Sequence, residues 1–251
     1  STPLRASHRE DCPPCHQRIR LERKRQEGQA VAGEDFQAGA VAKDGEALLA
    51  VAQAPVYAQS NQDLARDGRG GSTDNVLTYG MGYHQNRYSA LKQINKSNVK
   101  RLVPVWSMSL MNDLGETAQP TVYNGVMYVV VPGGAVRALD ATTGDQLWEY
   151  KRKLTAGQAN QARSKSLAIF GDVIAYTAPD STVVGIDART GEQRWETKTD
   201  SRGHTSGPII AEGKVISGGA CAGNRSNCYI AAHDAVTGKE LWRFYTTPAA
   251  G

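Results

Sequence analysis

The sequence predicts an all-β fold, and three observations carry that prediction. The unit Asp-Ala-x-Thr-Gly-x-x-x-Trp occurs three times, with Asp at 140, 187 and 234 and Trp at 148, 195 and 242, a step of 47 residues each time. Strand-forming runs precede each unit: Val126-Met127-Tyr128-Val129-Val130-Val131, Val173-Ile174-Ala175-Tyr176-Thr177 and Lys214-Val215-Ile216-Ser217. Turn residues introduce each run, Asn124-Gly125, Gly171-Asp172 and Glu212-Gly213. Several short strands in a 47-residue period suit a four-stranded blade of a β-propeller, whose known repeats run about 40–50 residues.

Composition agrees with this reading and removes others. The 251 residues are 40% hydrophobic and 22% charged, ordinary for a globular protein, and the 26 glycines fit a chain with many turns. The net charge is +4, and residues 59–251 hold 21 Lys/Arg against 17 Asp/Glu, scattered rather than clustered. A nucleic-acid footprint needs a basic patch, so that class is excluded. No apolar run approaches the roughly 18 residues of a membrane helix.

Taken from the start, residues 1–58 read as a disordered tail. They are polar, rich in Ala, Gln, Gly and Glu, and show no sustained period, so they bury too little to offset the entropy of ordering. Cys12-Pro13-Pro14-Cys15-His16 has the C-x-x-C-H spacing of a haem c attachment site. Only eleven residues precede it and a basic stretch follows, which favours a chance string in a tail over a haem domain. Ala47-Leu48-Leu49-Ala50-Val51-Ala52, leading to Tyr57-Ala58-Gln59, has the form of a secretory signal's end, misplaced deep in the chain; an Ala-rich linker is the alternative.

Residues 59–251 form the folded part. Asn98-Val99-Lys100-Arg101-Leu102-Val103-Pro104-Val105-Trp106-Ser107 reads as the last strand of an incomplete blade, because Trp106 precedes Trp148 by 42 residues. Three further blades end at Trp148, Trp195 and Trp242. In each, the Asp accepts backbone N–H bonds in a tight turn and the Gly takes a positive φ. The Trp offers a flat surface to pack between blades, its N–H needing a partner. Asp140, Gly144, Trp148, Asp187, Gly191, Trp195, Asp234, Gly238 and Trp242 are therefore read as structural. Propellers close with about four to eight blades, so a three-blade arc is expected to be part of a longer protein.

The repeated unit resembles the tryptophan-docking motif of the quinoprotein dehydrogenases. Tyr83-His84-Gln85-Asn86-Arg87-Tyr88-Ser89-Ala90-Leu91-Lys92-Gln93-Ile94-Asn95-Lys96-Ser97-Asn98-Val99 is similar to that family's segment leading into the first blade. Gly207-Pro208-Ile209-Ile210 running into Gly213-Lys214-Val215-Ile216-Ser217-Gly218-Gly219 agrees. The resemblance covers about residues 72–251. It implies an eight-bladed periplasmic or secreted enzyme that oxidises an alcohol with pyrroloquinoline quinone (PQQ), usually with Ca²⁺ or a lanthanide ion, and passes electrons to an acceptor such as a cytochrome c.

The resemblance also implies site residues. Glu116, four residues before Pro120 where many members have three, corresponds to a Glu that contacts the quinone; a loop carboxylate is the alternative. Thr205, three residues before Pro208, corresponds to a Thr whose hydroxyl reaches a PQQ carboxylate. Lys165 stands where the family has an Arg. A cation suits a ligand with three carboxylates, although Lys lacks the planar fork, and a solvated cation is the other reading. Gly218, Gly219 and Ala220 are placed on the cofactor side of the third blade.

Three departures qualify the match. Gln158-Ala159-Asn160-Gln161-Ala162 lacks the adjacent cysteines that many members carry. Gly223 replaces the Glu that serves as a metal ligand, so no metal-binding residue is assigned here. The catalytic Asp is expected beyond residue 251, so the chain alone is expected to be inactive. Cys221 and Cys228 read as a small disulfide-closed loop in an oxidising compartment, since two thiols are too few for zinc. The competing function is a cofactor-free propeller of the same repeat, acting as a protein-binding scaffold.

Overall fold

The structure is a computed structural model that describes residues 60–110, 116–160, 164–200, 203–204, 206–220 and 228–247. The chain divides into Ser1–Val51 and Ala52–Gly251, and every described residue lies in the second unit. The 1–58 tail, with the Cys12–His16 string and the signal-like segment, lies outside the described residues.

Three four-stranded antiparallel sheets follow one another in sequence. The first holds β1 (Thr121–Tyr123), β2 (Val126–Val131), β3 (Ala135–Asp140) and β4 (Gln146–Lys151). The second holds β5 (Ala168–Phe170), β6 (Val173–Ala178), β7 (Thr182–Asp187) and β8 (Gln193–Lys198). The third holds β9 (Ile209–Ala211), β10 (Lys214–Gly219), β11 (Tyr229–Asp234) and β12 (Glu240–Tyr245). Each is a simple meander, the strand order of a propeller blade. Helix α1 (Asn61–Gly68) precedes them, its first turn closed by a capping box between Ser60 and Asp63.

The repeated turn works as its residue types dictate. Oδ1 of Asp140 accepts from the amides of Thr142 and Thr143 at 2.7 and 3.0 Å. Asp187 does the same with Arg189 and Thr190, and Asp234 with Val236 and Thr237. Gly144, Gly191 and Gly238 close the turns at φ 77°, 77° and 74°. They are glycines for a second reason: a Cβ at Gly144 would sit 2.6 Å from the ring of Trp106, and one at Gly191 2.7 Å from that of Trp148. The indole of each blade thus lies on the turn of the next. Its Nε1 donates to the adjoining Ala carbonyl: Trp106 to Ala141 at 3.1 Å, Trp148 to Ala188 at 3.1 Å, Trp195 to Ala235 at 3.2 Å.

Burial follows from this stacking. Every residue of β6 and β7 is buried, because the second blade is covered on both faces. The third blade leaves Ile230, Trp242 and Phe244 exposed. Between the first two blades Arg152 bonds Asp180 at 2.8 Å, Glu196 at 2.9 Å and Thr182 at 3.1 Å; between the last two Arg243 reaches Asp200 at 2.6 Å.

Two expectations change in detail. Trp106 docks as a blade's last tryptophan, yet residues 102–110 form no strand, and Val103 and Val105 are 76% and 86% exposed. The indole needs only the facing turn, whereas a strand needs a ladder. The constant 47-residue step also hides a compensation. From Val126 to Val173 the spacing is 47, but from Val173 to Lys214 it is 41. The third blade has a loop six residues shorter before its inner strand and a β10–β11 hairpin loop six residues longer.

Candidate functional site

The candidate site is built from the loops that precede β1, β5 and β9. They lie side by side because the inner strands do. Gln119 N donates to the Lys165 carbonyl at 2.9 Å, and Thr121 Oγ1 to the Leu167 carbonyl at 3.4 Å. Thr177 Oγ1 donates to the Ser206 carbonyl at 2.8 Å. Gly207 is fitted against Ser166 so closely that a Cβ there would fall on the Ser166 hydroxyl. That contact explains the glycine in Thr205-Ser206-Gly207-Pro208.

Lys165, Ser166, Ser206, Gly207 and Ile209 line a cavity of about 220 Å³, completed by Tyr79 and Gln85 from the N-terminal segment. The Lys165 and Ser206 side chains are exposed at its rim. A cation beside a hydroxyl and an amide is a donor set suited to carboxylates, so these residues fit a tricarboxylate ligand such as PQQ. The segment that brings Tyr79 and Gln85 there is pinned by Gln119, whose Oε1 accepts from Gly80 N at 2.8 Å and whose Nε2 donates to the Thr78 carbonyl at 3.2 Å. Val76 also pairs with Val122 of β1.

The other expected residues do not line this cavity or lie outside the described residues. Glu116 does not line it; its Oε1 accepts from the amides of Thr117 and Ala118 at 2.7 and 2.6 Å. Gly218 and Ala220 are exposed at the end of β10, and Gly219 is buried under the Tyr229 ring, which fills the place of a Cβ. Thr205, Cys221 and Gly223 lie outside the described residues. Cys228 is disulfide-bonded.

Reading the sequence missed His204. It is 3% exposed, its Nδ1 stands 3.0 Å from the Gly218 carbonyl and its Nε2 3.4 Å from Thr199 Oγ1. A carbonyl only accepts, so Nδ1 carries the proton. Burial holds its pKa below the ordinary histidine value, against the opposing pull of the Gly218 carbonyl. His204 is thus a neutral brace between the Thr205 loop and the end of β10. Its one sequence signal is adjacency to Thr205. Ser166, Ser206, Tyr79 and Gln85 were missed because nothing local marks them; Gln85 is drawn in by contacts far along the chain.

Comparison with known proteins agrees with the blade architecture. The PQQ_2 family model, described as outer membrane protein assembly factor BamB, matches residues 103–250. A quinoprotein ethanol dehydrogenase of Pseudomonas aeruginosa is 38% identical over 46% of this chain and 19% of its own length. A 1-butanol dehydrogenase (quinone) of Thauera butanivorans is 36% identical over 52% of this chain and 21% of its own. The chain therefore spans about a fifth of the length of these curated relatives. Among solved structures, a quinohemoprotein alcohol dehydrogenase from Comamonas testosteroni superposes with a TM-score of 0.68 at 30% identity, over 76% of this chain and 29% of that one. A europium-containing methanol dehydrogenase superposes with a TM-score of 0.64 at 27% identity, over 70% and 32%. The three blades with docked tryptophans and these likenesses lead to one conclusion: the chain belongs to the PQQ_2 family, and its blades share the fold of quinoprotein alcohol dehydrogenase propellers.

Proposed function

We propose that this chain is part of a PQQ-dependent dehydrogenase that oxidises an alcohol, and that the cavity at Lys165 receives the cofactor. One observation carries the reading: the loops before β5 and β9 converge with the segment holding Tyr79 and Gln85 to set an exposed cation and a hydroxyl around one cavity. The named relatives, dehydrogenases that use a quinone, support it.

PQQ would supply a quinone able to take up a hydride, which carries both electrons, from an alcohol whose hydroxyl proton is lost to a base. The chain's own residues bind and orient. The Lys165 ammonium pairs with a carboxylate as a compact charge, without the bidentate geometry an Arg offers. The Ser206 hydroxyl and the Gln85 amide add donors at the same rim. Thr205 is assigned to a further carboxylate and Glu116 to the quinone edge by the family resemblance. Gly218, Gly219 and Ala220 are assigned to the cofactor by the family resemblance, and His204 bonds the Gly218 carbonyl at 3.0 Å.

A Ca²⁺ or lanthanide ion beside the quinone belongs to the same reading, supported by the europium-containing relative. Among the described residues no group of three or more His, Cys, Asp or Glu is placed to hold an ion, so no ligand set is assigned. We do not extend the reading to haem c. A periplasmic or secreted location is supported by the disulfide at Cys228, since such bonds persist in oxidising compartments. A cytochrome c is the proposed electron acceptor. Among the described residues no helix is long and apolar enough to cross a membrane.

Titration of the chain with PQQ, with and without Ca²⁺ or a lanthanide, tests the proposal through absorbance and thermal melting. A saturable spectral shift with a raised melting temperature is expected, since a ligand at about 100 times its Kd adds about 2.7 kcal/mol of stability. A folded chain with no shift at millimolar PQQ would overturn the site.

A further inference from the structure

We propose that Gln119 is a positioning residue for the cofactor: acting through Gly80, it holds Gln85 at the wall of the cavity that faces Lys165. This rests on reading that cavity as the quinone site.

Gln119 lies in the loop before β1 and does not itself line the cavity. Its hydrogen bonds reach two walls that do. Its backbone N donates to the Lys165 carbonyl at 2.9 Å, which fixes the loop before β5. Its side chain serves the other wall, where Oε1 accepts from Gly80 N at 2.8 Å and Nε2 donates to the Thr78 carbonyl at 3.2 Å. A side-chain amide accepts and donates at once, which neither a hydrocarbon nor a carboxylate can do.

From Gly80 to Gln85 the contact is direct. A Cβ at Gly80 would stand 2.9 Å from the Gln85 Cα, so the two backbones touch with nothing between them. Two further bonds close the loop around that contact: Arg87 N donates to the Gly80 carbonyl and Gln85 N to the Gly82 carbonyl, both at 2.9 Å. Gln85 sits at φ 51°, a left-handed conformation that is uncommon for a non-glycine residue and persists only where the surroundings fix it. A shift of Gly80 therefore shifts Gln85. Held in this way, the Gln85 amide is ordered before the ligand arrives, and binding is spared the entropy of ordering it.

A double-mutant cycle read by PQQ titration tests this, with the melting temperature and the hydrogen exchange of the Gly80 amide followed in the same proteins. Gln119→Met keeps the length of the side chain and the backbone bond to Lys165, but loses both side-chain bonds. The Gly80 amide should then exchange about five-fold faster or more, and PQQ should bind about ten-fold more weakly. In a Gln85→Ala background the same change should cost less than about two-fold, because nothing is left to position; in a Lys165→Ala background it should keep its full effect. Should Gln119→Met not fold, Gly80→Ala presses a methyl into Gln85 and should weaken PQQ binding by a similar factor. Unchanged exchange at Gly80, wild-type PQQ affinity in Gln119→Met, or a loss that Gln85→Ala does not diminish each overturns the proposal while the wild-type chain still binds PQQ. A wild-type chain that binds no PQQ overturns the quinone reading instead, and this inference with it.

Discussion

His204 donates its Nδ1 proton to the carbonyl of Gly218 at 3.0 Å, tying the loop before β9 to the end of β10. His233 is the second buried histidine, fully enclosed where the other two blades carry Leu139 and Ile186. Burial lowers its pKa too, and Glu240, at 3.7 Å, opposes that only in part.

These two histidines set a pH dependence with a definite sign. Their folded pKa values lie below the unfolded value of about 6.5, so the unfolded chain takes up protons that the folded chain refuses. Stability is complete above about pH 6.5 and falls as the pH drops below it. The melting temperature should fall between pH 7 and pH 5, and a His204→Gln, His233→Leu double variant should flatten that slope. Asp187 acts in a separate window. Burial raises its pKa, but the Arg194 guanidinium and the amides of Arg189 and Thr190 outweigh that and hold it at about 2, so its contribution is lost only below about pH 4. A wild-type melt that is level from pH 7 to 5 would contradict the histidine argument.

The docking turn offers a stability test with an internal control. Gly191→Ala forces an L-residue to φ 77° and drives a methyl into the Trp148 ring, at an expected cost of about 2–4 kcal/mol in urea unfolding. Gly157→Ala, on the exposed helix α2 (Ala156–Asn160) with open space around a Cβ, should be neutral or gain about 0.5 kcal/mol. Equal costs at both positions would show that the indole contact carries no weight.

The tryptophans themselves should not be equivalent. Trp195→Phe loses the bond to the Ala235 carbonyl and part of the packing on Gly238, about 1–3 kcal/mol. Trp242, which is 43% exposed, should tolerate the same change within about 0.5 kcal/mol. Chemical denaturation of the two variants side by side decides the point.

At the candidate site, Lys165→Ala should weaken PQQ binding by roughly ten-fold or more, the worth of a hydrogen bond to a charged group. Lys165→Arg should retain binding. Glu116→Gln should change the affinity little, because an amide oxygen can still accept from Thr117 and Ala118. Spectroscopic titration of the three variants checks the order; an unaltered affinity in Lys165→Ala would remove that residue from the site.

What the sequence alone determined is what the chain settles locally. Asp140, Asp187 and Asp234 bond amides two and three residues ahead, so the turn is complete within one short motif. The strand runs and the tryptophan step follow from that motif, and the four-stranded blade could be read from them. Tertiary structure alone decided the contacts that bridge long separations. Tyr83 and Ile210 meet across 127 residues, and Gln85 joins Lys165 and Ser206 only because the inner strands lie side by side. The burial that makes His204 a neutral brace depends on β10 packing over it, and no local pattern marks that. The regular 47-residue step even concealed that the third blade had exchanged six residues between two loops, because spacing records only the distance between turns and not where the backbone spends it.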